Sequence, residues 1–237
     1  MFPSSKDEPA WALLEVCLQT HVPIEGRRFL RRADGEIHTG VVRLTQLPSG
    51  SVKEFLVSAD GSQVLYLANP GPATTSELFS GPADGSSPPV RLSNPLGLNR
   101  TVTSFALSPD QSRVVYLADE LANDVFEIFS VPFAGGPVLR LDPLPSFADV
   151  SSFRIDVRSE RVVYLADRNA DGVLELFSVP LDGSAAAKRL SDPLTAGGDV
   201  QSDYLPLRGG RTLYRADQGT NDVLELFVSL ERPVLPR

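Results

Sequence analysis

The chain has one cysteine, Cys17, one tryptophan, Trp11, and two histidines, His21 and His38, in 237 residues. A lone cysteine cannot close an intrachain disulfide, so the sulfur chemistry neither staples a scaffold nor indicates a compartment. A metal-dependent lyase or hydrolase would need several histidines and carboxylates converging on one face, and two histidines near the start do not supply that. No Gly-x-Ser-x-Gly nucleophile elbow and no Gly-rich phosphate loop is present, so a peptidase domain and a nucleotide site are both missing from these residues. No run approaches the ~20 apolar residues that a membrane-spanning helix requires. Positive charge is also short. Lys and Arg total 22 against 30 Asp and Glu, a formal net charge of −8, which disfavours nucleic acid and anionic membranes as partners. The first eight residues, Met1 to Glu8, are polar and lack the apolar core of a signal peptide. The chain therefore reads either as cytoplasmic as written or as part of a longer exported protein.

What is present is repetition. Tyr-x-Ala followed by Glu-Leu-Phe or Glu-Ile-Phe occurs four times. Tyr66 leads to Glu77-Leu78-Phe79, Tyr116 to Glu127-Ile128-Phe129, Tyr164 to Glu175-Leu176-Phe177 and Tyr214 to Glu225-Leu226-Phe227. A period near fifty residues is the mark of a repeat architecture. Residues 103–144 show the unit. Thr103–Leu107 alternates as a strand, a, and Ser108-Pro109-Asp110 is a turn. Arg113–Ala118 is strand b, a polar link follows, and Val125–Val131 is strand c. Gly135-Gly136 makes a hairpin turn, and Val138–Leu141 is strand d. Strand d carries Arg91-Leu92, Arg140-Leu141 and Arg189-Leu190 in successive copies. Four short strands per unit, with turn signals between them, predict an all-β protein built of β-propeller blades.

The pair Arg43-Leu44 extends the series backwards, so residues 1–48 read as a degenerate first repeat. Trp11–Leu18 is its expected strand b, Arg28–Arg31 strand c, Asp34-Gly35 the turn and Gly40–Leu44 strand d. The remaining repeats are expected at 49–97, 98–146, 147–195 and 196–237, the last truncated, in one propeller domain of about five blades over 1–237. The expected strand count is three, four, four, four and three. The two deficits do not complement each other, which leaves three possibilities for closure. The chain is a five-bladed ring with a worn seam, a segment of a larger propeller, or a homo-oligomer joined through open edges.

A strand ending in Ser108-Pro109-Asp110, then Val114-Val115-Tyr116-Leu117-Ala118-Asp119, then Glu127-Ile128-Phe129-Ser130-Val131-Pro132, a glycine turn and Arg140-Leu141 resembles the WD40-like (PD40) repeat of TolB-type β-propellers. The resemblance covers residues 50–230 well and 11–48 poorly. It implies bacterial propellers, often periplasmic or extracellular, that act mostly as interaction scaffolds or as gating domains of peptidases. The chain departs from the pattern where Gln111 replaces a glycine after Ser108-Pro109-Asp110, and where Arg158-Ser159-Glu160 fills that turn.

One loop is a candidate for chemistry. Residues 167–175 read D-x-N-x-D-G-x-x-E. Hard cations take several oxygens at about 2.3–2.6 Å, and alternate residues of a tight loop can aim them inward. Asp167, Asn169 and Asp171 would give side chains, Val173 a carbonyl and Glu175 a last carboxylate, with calcium as the cofactor. The other reading is a water-facing polar turn. Glu77, Glu127 and Glu225 share the Glu175 slot without a full loop, which points to a structural glutamate. The sibling loops, Asp119 to Asp124 and Asp217 to Asp222, read as one residue longer and out of that register. The periodic tyrosines are expected in the inter-blade core instead of on a sugar-stacking surface. Arg43, Arg91, Arg140 and Arg189 are expected as solvated edge charges that block aggregation. The function expected is a non-catalytic binding or scaffold propeller for a protein or ligand. The alternative is the propeller segment of a larger exported, prolyl-oligopeptidase-like hydrolase.

Overall fold

The computed structural model describes residues 29–31, 37–39, 41–45, 47, 49–71, 75–158 and 160–230. Every regular element among them is a β-strand. A short hairpin comes first, β1 (Phe29–Arg31) with β2 (Ile37–Thr39). Blade I follows as β3 (Ser51–Val57), β4 (Gln63–Asn69), β5 (Glu77–Pro82) and β6 (Val90–Arg91). Blade II is β7 (Val102–Leu107), β8 (Arg113–Ala118), β9 (Glu127–Pro132) and β10 (Leu139–Arg140). Blade III is β11 (Val150–Ile155), β12 (Arg161–Ala166), β13 (Glu175–Pro180) and β14 (Lys188–Arg189). Blade IV is β15 (Leu205–Leu207), β16 (Arg211–Ala216) and β17 (Glu225–Leu230). Each blade is an antiparallel meander in chain order.

The strands form where the sequence alternates. Strand b carries Tyr66, Tyr116, Tyr164 and Tyr214, and each ring lies opposite a phenylalanine of strand c: Phe79, Phe129, Phe177 and Phe227. These four pairs stack at centroid separations of 5.4–5.6 Å. Because side chains alternate across a strand, the leucine or isoleucine between Glu and Phe faces the opposite way. Each blade therefore has a tyrosine face and a leucine face, and the leucine face of one packs on the tyrosine face of the next. Leu65, Leu67 and Leu78 of blade I meet Val114, Tyr116 and Phe129 of blade II. Val115, Leu117 and Ile128 meet Val162, Tyr164 and Phe177. Val163, Leu165 and Leu176 meet Tyr204, Tyr214 and Ala216. The core is thus a series of flat interfaces between sheets, and Phe129 and Phe177 are buried in them.

Several boundaries differ from the sequence reading. Strand c begins at the glutamate, so Leu78 and its equivalents are second residues instead of strand centres, and Val125 and Phe126 stand before the strand. Strand d shrinks to two residues, because it lies at the rim and pairs on one side only. In blade IV the residue matching Phe55 is Tyr204, just before β15, and a lone bridge from Val200 to Ala216 begins the pairing. In the first repeat, β1 pairs with Ile37–Thr39, ahead of the expected 40–44. Residues 41–45 run without strand pairing. They still sit where a strand d belongs: Val42 and Leu44 lie against Gly85 of blade I, as Leu139 and Leu141 lie against Gly183. The expected strand b at Trp11–Leu18 falls outside the described residues.

Two turns show the backbone chemistry. After Ser58-Ala59-Asp60, Gly61 takes φ = 73°, and in blade II Gln111 takes φ = 60° at the same slot. A left-handed conformation disfavours a residue with a Cβ. The Gln111 side chain offsets this by accepting a hydrogen bond from the Ala59 N–H of blade I at 2.7 Å. The glutamine that breaks the repeat pattern is therefore a tie between blades.

Candidate functional site

In a meander of four strands the b–c loops and the d–a connections emerge at one end. The aspartate that ends strand b organises this end. Asp119, Asp167 and Asp217 each accept two backbone N–H groups. One oxygen takes the N–H of the residue eighteen places earlier: Thr101 at 2.5 Å, Asp149 at 2.6 Å and Asp199 at 2.6 Å. The other takes the N–H five places later: Asp124 at 3.2 Å, Gly172 at 3.0 Å and Asp222 at 2.9 Å. The three donors of the second set all have positive φ, between 58° and 73°. The three b–c loops therefore share one conformation. Each runs nine residues from Asp to Glu, 119–127, 167–175 and 217–225, so the siblings of 167–175 are not longer, which corrects the expectation above.

The chain of bonds then passes to the preceding blade. The Asp149 carboxylate accepts the Phe126 N–H at 2.6 Å, and Asp199 accepts the Leu174 N–H at 2.7 Å. Thr101 Oγ1 plays the same part for the Ser76 N–H at 3.1 Å. Backbone bonds run beside them, from the N–H groups of Val102, Val150 and Val200 to the carbonyls of Ser76, Phe126 and Leu174 at 2.8–2.9 Å. The start of strand a in blades II and III, and the Val200 bridge of blade IV, are thereby pinned to the start of strand c in the blade before. Backbone N–H groups at a loop end must find acceptors, and a carboxylate is a strong one.

The recurring glutamates and arginines form a second set of ties. Arg91, Arg140 and Arg189 of strand d pair with Glu77, Glu127 and Glu175 of strand c in their own blades. Glu127 also accepts the Leu144 N–H at 3.0 Å, and Glu77 the Leu96 N–H at 3.4 Å. The arginines are half-exposed, but the glutamates are buried, so these are not free edge charges, contrary to expectation. Arg43 alone of the series is described without a paired strand d, and it is exposed.

The tyrosine hydroxyls reach the same end. Tyr116 donates to Glu120 at 2.6 Å, Tyr214 to Gln218 at 3.1 Å, and Tyr164 to Asp142 at 2.5 Å, where Arg168 also pairs at 3.2 Å. Burial, then the neighbouring carboxylate, pushes the Tyr116 and Tyr164 hydroxyls far above their ordinary pKa. Tyr204 is pushed up to about 12, by burial first.

The five residues nominated for calcium are placed as follows. Asp167 is buried with both oxygens on N–H groups. Asn169 Nδ2 donates to Glu175, whose other oxygen takes Arg189 at 2.7 Å. Asp171 is exposed at the tip, and the Val173 N–H bonds the Ala170 carbonyl at 3.0 Å. The loop thus brings Asn169 to Glu175 and leaves Asp171 apart. Among the described residues no group of three or more His, Cys, Asp and Glu is gathered as a metal cage.

Surface grooves lie elsewhere. One of about 530 Å³ between blades I and II is lined by Gln63, Pro82, Val90, Gln111 and Phe133. Another of about 840 Å³ lies between β14 and β17. The first contains no acid or base. The second holds Lys188, Arg189 and Asp192, but Arg189 is already paired with Glu175. On the loop end the exposed large apolar side chains are Leu98, Leu121, Phe147, Val223 and Leu224, and they stand among exposed polar ones, Asn123, Asp124, Asn169, Asp171, Asn221 and Asp222.

No protein-family model matches the chain, and no curated protein does. Solved structures match in fold. A TolB-designated protein of Agrobacterium tumefaciens aligns at 15% identity with a TM-score of 0.50, over 85% of this chain and 76% of its own. The tricorn protease aligns at 14% identity and 0.51, over 70% of this chain and 15% of its own. Oligopeptidase B from Leishmania major aligns at 10% identity and 0.55, over 76% of this chain and 24% of its own. The chain spans a minor part of each peptidase. At these identities the likeness shows the fold, a stack of TolB-like β-propeller blades.

Proposed function

We propose that this chain is a non-catalytic binding propeller whose loop end docks a protein. The observation that carries this reading is the division of labour at that end. The strand-ending aspartates and the strand-c glutamates of blades II and III are taken up by N–H groups, arginines or asparagine, so none of them stands ready as a base or nucleophile's partner. What faces outward includes large apolar side chains on short, hydrogen-bonded loops, beside polar tips such as Asn123 and Asp171. Leu98, Leu121 and Phe147 are 84%, 54% and 48% exposed. Rigid loops that present large apolar groups favour protein recognition, because little ordering entropy is lost on binding. The negative charge of the chain favours a partner with a basic rim. The family resemblance supports a scaffold role outside the cytoplasm. The test is proximity crosslinking from photoreactive groups at positions 98 and 147. A recurring partner, lost when Leu98, Leu121 and Phe147 are replaced by serine, supports the reading. Hydrolysis of peptide or ester substrates by the purified chain would contradict it.

Calcium at 167–175 is a subordinate proposal. A cation there would have to compete with Arg189 and Asn169 for Glu175, and with two N–H groups for Asp167. Calcium titration of the melting temperature tests it, since a ligand that binds only the folded state raises stability.

A further inference from the structure

Among the described residues the stack ends in two bare faces, and they are the two halves of an interface the chain builds three times. Blade I has nothing described against the inner part of its tyrosine face. Phe55 and Val57, which lie opposite Tyr66 and Val64 and so share that face, are 68% and 45% exposed. Their counterparts in blades II and III, Phe105 and Leu107, and Phe153 and Ile155, pack against the leucine face of the blade before. Blade IV has the converse lack. Leu226, Val228 and Leu230 on its leucine face are 68%, 51% and 67% exposed, with Leu205 beside them across the sheet. Ile128 and Leu176, the counterparts of Leu226, are fully buried by the next blade. Apolar patches of this kind mark surfaces that another body covers.

The geometry points to a second copy of this chain as that body: the leucine face of blade IV in one copy receives the tyrosine face of blade I in another. Among the described residues of a single copy the two faces are exposed, so blade IV does not cover blade I. Each is nevertheless chemically matched to the other, because the Leu-on-Phe packing they lack is the packing seen between blades I and II, II and III, and III and IV. The contact is heterologous, since the two surfaces differ, and such contacts give rings where the rotation closes and filaments where it does not. Arg215 sets the new interface apart from the internal ones. It occupies the slot of the buried Leu67, Leu117 and Leu165, and its charge is met by Asp203 at 3.1 Å. Arg215 and Arg211 on the exposed face also oppose stray association of blade IV with itself.

The test is a complementation experiment read by light scattering after size exclusion. The full chain should have at least twice the monomer mass. Phe55→Asp and Leu226→Glu alter exposed side chains, so each should keep the far-ultraviolet spectrum and melting temperature while becoming monomeric. Val57→Asp, on the same face, replaces the first variant should that one fail to fold. Mixed, the two variants keep one working face each and should form a one-to-one heterodimer that goes no further. A monomeric wild-type chain at all concentrations overturns the proposal. So does dissociation by Leu226→Glu alone with Phe55→Asp unaffected, which would mean that blade IV faces pair with each other, and so does a mixture that stays monomeric.

Discussion

At the scale of single residues, three predictions separate structural from chemical roles. Asp167 is buried and accepts two N–H groups, so Asp167→Ala should destabilise the chain by about 2–4 kcal/mol, as the loss of hydrogen bonds to a charged, buried acceptor does. Asp171, exposed at the tip of the same loop, should cost no more than about 0.5 kcal/mol as alanine. Urea titrations of both variants check this, and comparable losses would mean that the loop works as one unit around an unseen centre. Phe129 and Phe177 are buried between blades and stack on tyrosines, so either one truncated to alanine should lose about 3–5 kcal/mol. The tyrosines also predict a pH dependence. Tyr116, Tyr164 and Tyr204 have folded-state pKa values raised above 10, chiefly by burial. The neutral hydroxyl is the folded form, so stability should be level below pH 10 and fall as the pH rises beyond it. At the acid end Asp60 is lowered to about 2 by the hydrogen bond from Ser58, then by Ser62. Its contribution is present above the ordinary carboxylate value and is lost as pH falls towards 2. Thermal melts from pH 2 to 12 check both limbs; a chain that loosens between pH 7 and 9 would contradict the burial of the tyrosines.

At the scale of elements, strands b and c were legible in the sequence. Their β-branched and aromatic residues alternate, and the Tyr–Phe pair repeats at a fixed offset, so periodicity alone gave the strands and the faces. Strand d was overdrawn, because its Arg-Leu signal marks an ion pair and a buried leucine, not a length of ladder. The blade-to-blade ties were missed. Their signal was available: Thr101, Asp149 and Asp199 each precede the strand-ending Asp119, Asp167 and Asp217 by eighteen residues. A polar pair at a fixed offset cannot be told from loop decoration until the sheet brings the two ends together. The loop 167–175 is legible as polar and tight, while the groups its oxygens meet, N–H groups at Asp167 and Asn169 and Arg189 at Glu175, are set by the fold. A carboxylate that recurs in every copy is better explained by a need that every copy has. The Glu–Arg ties belong to this scale as well. Arg140→Ala should cost more than Arg43→Ala, since it strands the buried Glu127 while Arg43 is exposed. Paired melting curves check the order, and equal effects would mean that the Glu127 pair contributes nothing.

At the scale of the whole molecule, the chain is a series of blades in which each contacts its neighbours, so stability should accumulate along the stack instead of residing in one centre. Its polar repeats serve cohesion between the blades. The relay of carboxylates is the central claim, and native-state hydrogen exchange tests it most directly. The amides of Asp149 and Asp199, and those of Phe126 and Leu174 that they bridge to, should exchange as slowly as the strand-b amides of Tyr164 and Leu165. Asp167→Asn should release Asp149 and Gly172 selectively and leave blade II protected. Exchange of these four amides at the rate of open loops in the unaltered chain would contradict the account.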